Sequence, residues 1–162
     1  MLVGLGSCPT QSPYITGLAD GALSGSSEHN VYHGYTRSRL NTYTSGSYTG
    51  AWSSASNSVG QYIQADLGEV RRIEKVATQG RYGANQWVQS FRFAYSVAGS
   101  DYEFVLNEDN SERIFTGNND QNTIVENAFD DVFVARYVRV YPQTWNSHMS
   151  MRWEAYGCEI GV

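Results

Sequence analysis

Apolar and polar residues alternate one by one through Gln61-Tyr62-Ile63-Gln64-Ala65-Asp66-Leu67, and again from Ser90 to Val97. A period of two puts every second side chain on one face of an extended chain. Ile63, Ala65 and Leu67 therefore share a face, as do Phe91, Phe93, Tyr95 and Val97. Further strands are predicted at Ile73–Thr78, Tyr102–Leu106, Arg113–Phe115, Thr123–Asn127, Arg136–Tyr141 and Met149–Tyr156, with polar turns between them. No convincing helical stripe competes with this pattern. Many short strands joined by such turns close into an all-β antiparallel sandwich or barrel.

A chain of 162 residues suits one domain with a full core. It shows no repeat, linker or break in composition, so one domain is expected over residues 1–162, its core about 8–158. Hydrophobic residues make up 41% and charged residues 17%, which excludes a disordered chain. No run approaches the roughly 20 apolar residues of a membrane helix. Met1-Leu2-Val3-Gly4-Leu5 is too short for a signal peptide, so any targeting segment is expected outside this sequence. Sixteen acids against 11 bases, with Lys75 the one lysine, argue against DNA, RNA or heparin as a partner.

Cys8 and Cys158 bracket nearly the whole chain. Metal-binding cysteines cluster at short spacing, so this pair reads better as one disulfide joining the termini than as two unrelated buried thiols. An oxidising, extracellular setting (secreted or cell-surface) follows from that reading. Residues 24–60 are rich in Ser, Gly, Asn, Thr and Tyr, and so long a connection in a compact domain is usually functional. Residues 101–131 hold nine of the 16 acids, which reads as a solvated acidic face rather than a cation site.

Several motifs then fall in a recognisable order. They are Ser38-Arg39-Leu40-Asn41, Gly50-Ala51-Trp52, Gln61 to Gly68, Val76 to Arg81, Gln86-Trp87-Val88, Phe91 to Ser96, Phe115 to Asn118, Ala135 to Val140, Thr144-Trp145-Asn146 and Met151 to Cys158. In this order the chain resembles the discoidin domain family, also called the coagulation factor V/VIII type C domain, over nearly its whole length. The resemblance implies a jelly-roll-like β-sandwich or barrel of about eight main strands, with spike loops at one end. It also pairs Cys8 with Cys158. Members of that family are non-enzymatic recognition and adhesion modules for galactose-type sugars, anionic phospholipids such as phosphatidylserine, collagen or peptide ends.

The spikes fall at about Ser26–Thr36, Thr42–Asn57 and Arg81–Gln86. A sugar site needs an aromatic face and fixed polar partners, and tyrosine-rich loops suit adaptable recognition. The expected ligand contacts are Arg81, Tyr82, Trp52, Asn57, Tyr43, His33, Tyr32 and Trp145. Arg81 leads because the stretch from Gln79-Gly80-Arg81 to Trp87 is similar to discoidin-type lectins, where that Arg lies at the galactose site. Two positions depart from the family. Galactose-binding members carry Asp five residues before the tryptophan, where this chain has Ser47; peptide-binding members carry Asp five residues after it, where this chain has Asn57.

The expected partner is a cell-surface glycan or glycoprotein. Anionic phospholipid, reached by inserting Tyr32, Val31 and Tyr82, is the alternative, and a protein or peptide ligand the third. Trp87 and Trp153 read as core. Asp66 and Arg152 are expected in a structural ion pair. His29 and His33 lie in a loop, where an i,i+4 spacing has no helical meaning, so no metal site is predicted. No cofactor is expected, apart from a structural calcium held by loop carbonyls with Asp20 or Glu159, as in some sugar-binding relatives. No nucleophile elbow, phosphate loop or opposed carboxylate pair points to catalysis.

Overall fold

The computed structural model describes residues 6–161, and the fold is all-β. Its strands are β1 (Ser12–Pro13), β2 (Leu23–Gly25), β3 (Trp52–Ser53), β4 (Ile63–Gln79), β5 (Trp87–Ser96), β6 (Glu103–Phe104), β7 (Phe115–Thr116), β8 (Val125–Asn146) and β9 (Ser150–Gly157). They pair in the order β1-β9-β4-β8-β5-β6, with β2 on β4, β3 on β9 and β7 on β5. Every pairing between them is antiparallel.

Two pairs of predicted strands are each one long, bent strand. Gln61–Leu67 and Ile73–Thr78 fuse into β4, because Gly68 turns the chain at a φ of 83° and the pairing with β8 resumes at Arg71. Thr123–Asn127 and Arg136–Tyr141 fuse likewise into β8. The bend lets β4 pair with β2 through Ile63–Ala65 and with β9 through Lys75–Gln79. A single core closes between these sheet portions. Ile63, Ala65, Phe91, Phe93, Val138 and Val140 meet Met151, Trp153 and Ala155 there. The predicted inward row of β5 stops early: Val97 is 53% exposed, since the strand ends at Ser96.

Cys8 and Cys158 are bonded, with Cα atoms 5.7 Å apart. Buried Glu154 holds the same end of the chain by accepting the backbone N–H groups of Tyr14, Ile15 and Thr16. The expected Asp66–Arg152 pair does not form. Asp66 instead takes a two-pronged bond from Arg136, at 2.8 and 3.0 Å. That bond, more than any other influence, keeps the Asp66 carboxyl below its usual range.

Arg152 is buried with no carboxylate beside it. It donates to the carbonyls of Gly80, Thr42 and Gln121 and to Asn122 Oδ1. Burial pushes its pKa down to about 10, so the guanidinium stays charged near neutral pH. One side chain thereby fastens three loops at one end of the barrel.

Candidate functional site

The end fastened by Arg152 carries all three predicted spikes, and short polar contacts lace them together. Thr49 donates its N–H to the Tyr32 carbonyl, joining the first loop to the second. His29 N–H reaches Ser53 O of β3 at 2.8 Å, and Tyr82 N–H reaches Gly50 O at 3.1 Å, joining the second loop to the third. Gly50 is required at that crossing: a Cβ there would lie 2.5 Å from the Tyr82 Cβ. The third loop closes on itself where Arg81 N–H meets Gln86 O.

Between the loops lies a cavity of about 130 Å³, lined by His29, His33, Ser53, Arg81, Gln86 and His148. That volume admits one edge of a pyranose ring rather than an extended ligand. Arg81 is half-buried and donates to Gln86 Oε1 at 2.9 Å. Gln86 Oε1 also accepts from Ser150 Oγ, which contacts Ser53 Oγ at 2.6 Å, so the guanidinium is braced through to β9. Arg81 Nε is shielded from solvent and has no partner within the protein. Burial lowers the pKa of this guanidinium as well.

The three imidazoles pack edge to face. The ring centres of His29 and His33 are 4.9 Å apart, and those of His29 and His148 are 5.8 Å apart. A short 3-10 turn at Val31–His33, capped by Asn30, brings His33 back over His29. Their spacing therefore does carry structural meaning, although through a tight turn rather than an α-helix.

Two of the rings have their proton placed by their neighbours. Asn30 Oδ1 accepts the N–H of Tyr32 at 3.0 Å, which identifies that atom as oxygen; His33 Nδ1, 2.7 Å from it, must donate. His148 Nε2 lies 2.9 Å from the Ser54 carbonyl and must donate too. In the neutral rings His33 Nε2 and His148 Nδ1 are consequently acceptors. Burial, then Arg81 and the other two imidazoles, push the His33 pKa down to about 4. The site thus sets a fixed cationic donor beside fixed neutral acceptors, the complement of a hydroxyl group that both donates and accepts.

Of the residues expected to touch ligand, Arg81 and His33 line the cavity. Tyr82 follows Arg81 and packs edge-on to Tyr43 at 4.9 Å; Tyr43 is 60% exposed. Tyr32 precedes His33 and packs against Tyr48 at 5.5 Å. Three residues correct the expectation. Trp52 is fully buried, its indole N–H given to Ser27 O, so it supports the loops from below and cannot meet a ligand. Asn57 spends its amide on the turn after β8, accepting from Met149 N–H and donating to Ser147 O, and so positions His148 instead. Trp145 is half-buried against the core, opposite Val88, and does not line the cavity.

His29, His148, Gln86 and Ser53 were not among the expected contacts. His148 reaches the site from the far end of the chain, on a turn whose Ser147 has a φ of 62°. No local spacing announces that. The two carboxylates considered for calcium are engaged elsewhere, Asp20 with Arg39 at 2.9 Å and Glu159 with Arg71 at 3.6 Å. Among the described residues no group of three or more His, Cys, Asp or Glu is arranged to hold a metal ion, and the Arg81 guanidinium opposes a cation among the imidazoles. Among those residues, too, no helix is long and apolar enough to cross a membrane.

A disulfide-closed β-sandwich with a polar cavity between three end loops is the frame of a recognition module. The F5/8 type C domain pattern matches residues 22–155, and the chain belongs to that family. It is 39% identical to mouse lactadherin over 110 residues, 67% of this chain and 24% of that protein. It thus spans about a quarter of the lactadherin it matches. The wild-type discoidin II structure from Dictyostelium discoideum is similar over 94% of this chain and 60% of its own, with a TM-score of 0.81 and 29% identity. The galactose-bound family 32 carbohydrate-binding module of C. perfringens NanJ shares the fold over 91% of this chain and 99% of its own (TM-score 0.65, 13% identity).

Proposed function

We propose that this domain is a non-catalytic, extracellular adhesion module that binds a galactose-type or related glycan on cell-surface glycoproteins, at the cavity between its end loops. The observation that carries the reading is the pairing of the Arg81 donor with the tautomer-fixed acceptors of His33 and His148 around one small cavity. A sugar edge with neighbouring hydroxyls satisfies both kinds of partner at once. Tyr82, next to Arg81 in the chain, packs edge-on to Tyr43, and this aromatic pair can take the apolar face of a pyranose. The likeness to discoidin II and to a galactose-bound module of the same fold supports a sugar ligand. The disulfide favours an oxidising compartment.

A glycan array, repeated with Arg81→Ala, tests the proposal. Galactose-type glycans should be retained by the native chain and lost from the variant. Retention of no glycan, or binding indifferent to Arg81, would overturn it.

A second reading rests on the loop tips. Val31 is 63% exposed, Tyr32 43% and Tyr48 45%, and lactadherin is a relative. Such tips suit the interface of an anionic phospholipid membrane. Sedimentation with phosphatidylserine liposomes separates the readings, because tip insertion survives Arg81→Ala whereas sugar binding does not.

A further inference from the structure

The proton positions that favour a sugar hydroxyl also make the cavity sensitive to acid. With neutral rings, His33 Nε2 and His148 Nδ1 offer lone pairs. A hydroxyl donates to them, whereas a carboxylate oxygen is repelled. Once protonated, each nitrogen becomes a cationic donor beside Arg81, and the preference reverses.

We propose, building on the glycan reading above, that His33 makes this three-imidazole cavity change the charge of its preferred ligand with pH, taking neutral sugars with the His33 ring neutral and uronic acid sugars once it is protonated. The groups facing the rings are uniformly neutral or basic. His29 and His33 come from the first loop, Ser53 from β3, Arg81 from the segment after β4, Gln86 from the approach to β5 and His148 from the turn before β9. Among the described residues no carboxylate lines the cavity. Glu28, next to His29 in the chain, turns its carboxylate toward Gly34 instead. Among the described residues lining the cavity no acid is present to neutralise His33 as it charges, so an incoming carboxylate can serve as its counter-ion.

This arrangement also opposes the charging of His33 while the cavity is empty, since burial, then Arg81 and the other two imidazoles, disfavour its protonated ring. His33 accordingly stays neutral down to about pH 4 in the free protein. A bound carboxylate raises that value by stabilising the imidazolium, so binding and proton uptake are linked.

The test uses two sugars that differ at one carbon, galactose and galacturonate, titrated into the whole chain by calorimetry at about pH 7.5 and about pH 4.5. Galacturonate remains largely ionised at the lower pH, since carboxyls of this kind titrate near 3.5. The galactose-to-galacturonate affinity ratio should fall by about tenfold or more on acidification, the scale of one charge-assisted hydrogen bond. Galacturonate binding should also take up protons, seen as a dependence on buffer ionisation heat. His33→Gln, which cannot charge, should flatten the change, with circular dichroism confirming the fold at both pH values. Sugars bound at a ratio indifferent to pH would overturn this inference and leave the glycan reading standing. Neither these sugars nor any arrayed glycan binding at either pH would remove both.

Discussion

Replacing Arg152 by Met should cost about 3 kcal/mol of stability. The guanidinium donates to Gly80 O at 2.7 Å, Thr42 O at 2.8 Å, Gln121 O at 2.7 Å and Asn122 Oδ1 at 2.9 Å. Methionine fills similar space but donates nothing, so three backbone carbonyls lose their partner. Each buried carbonyl left unpaired costs roughly 1 to 3 kcal/mol. Two gains offset part of that sum: a buried charge no longer has to be desolvated, and the Thr42 and Gln121 acceptors, only part-buried, recover some water. About 3 kcal/mol remains, which at roughly 2 to 4 °C per kcal/mol lowers the melting temperature of a domain this size by about 10 °C. Arg152→Lys keeps the charge but reaches fewer acceptors, so it should fall between Met and the native residue. Urea unfolding followed by tryptophan fluorescence, with an unchanged denaturant slope, measures both variants. A loss under about 1 kcal/mol for Met would refute the claim that this side chain fastens the loops.

Other expectations follow from the same contacts. Reducing the Cys8–Cys158 bond, or replacing both residues with Ser, should cost about 2 to 4 kcal/mol; the 150-residue separation sets an entropic ceiling near 5 kcal/mol, and Glu154 still holds Tyr14–Thr16. An unfolding midpoint unmoved by reductant would contradict this. The His33 ring proton signals should stay in their neutral positions by NMR until the pH nears 4. Because the unfolded chain binds that proton near 6.5, the stability tied to neutral His33 is complete above about 6.5 and declines as the pH falls toward 4. His33→Gln should lose that share of the acid sensitivity in urea titrations. Gly50→Ala, whose new Cβ would press on Tyr82, should part the second loop from the third and weaken glycan retention at least tenfold while the core remains folded. Unaltered retention would show that the crossing is not needed.

The parts of this architecture legible in the sequence are those written at short range. The period-two rows of Ile63, Ala65 and Leu67 and of Phe91 and Phe93 predict buried faces, and these side chains are 3% exposed or less. The terminal disulfide was legible because Cys8 and Cys158 bracket the whole domain rather than cluster at metal-ligand spacing, and the family resemblance implies the same pair. Strand length was not. Gly68 reads as a turn, yet β8 runs alongside β4 on both sides of it, and the ladder reforms beyond the bulge at Arg71. Tertiary pairing overrode a local break signal.

The cavity was half legible for a related reason. Arg81 and His33 stand in segments whose composition and motifs mark them as loops, but their partners are assembled by topology. His148 arrives on the turn into β9, held in place by Asn57 through Met149 and Ser147. Trp52 misled because an aromatic at the edge of a loop suits a ligand platform as well as a loop support, and only burial separates the two. The most telling feature had no sequence signal. Which nitrogen of His33 carries the proton depends on Asn30 Oδ1, and that oxygen is oriented by the N–H of Tyr32 within one tight turn. A residue type states that an imidazole is present; the backbone around it decides whether a ligand meets a donor or an acceptor. Asn30→Ala should therefore release the ring to either tautomer, weakening the binding of neutral sugar although the side chain removed does not line the cavity.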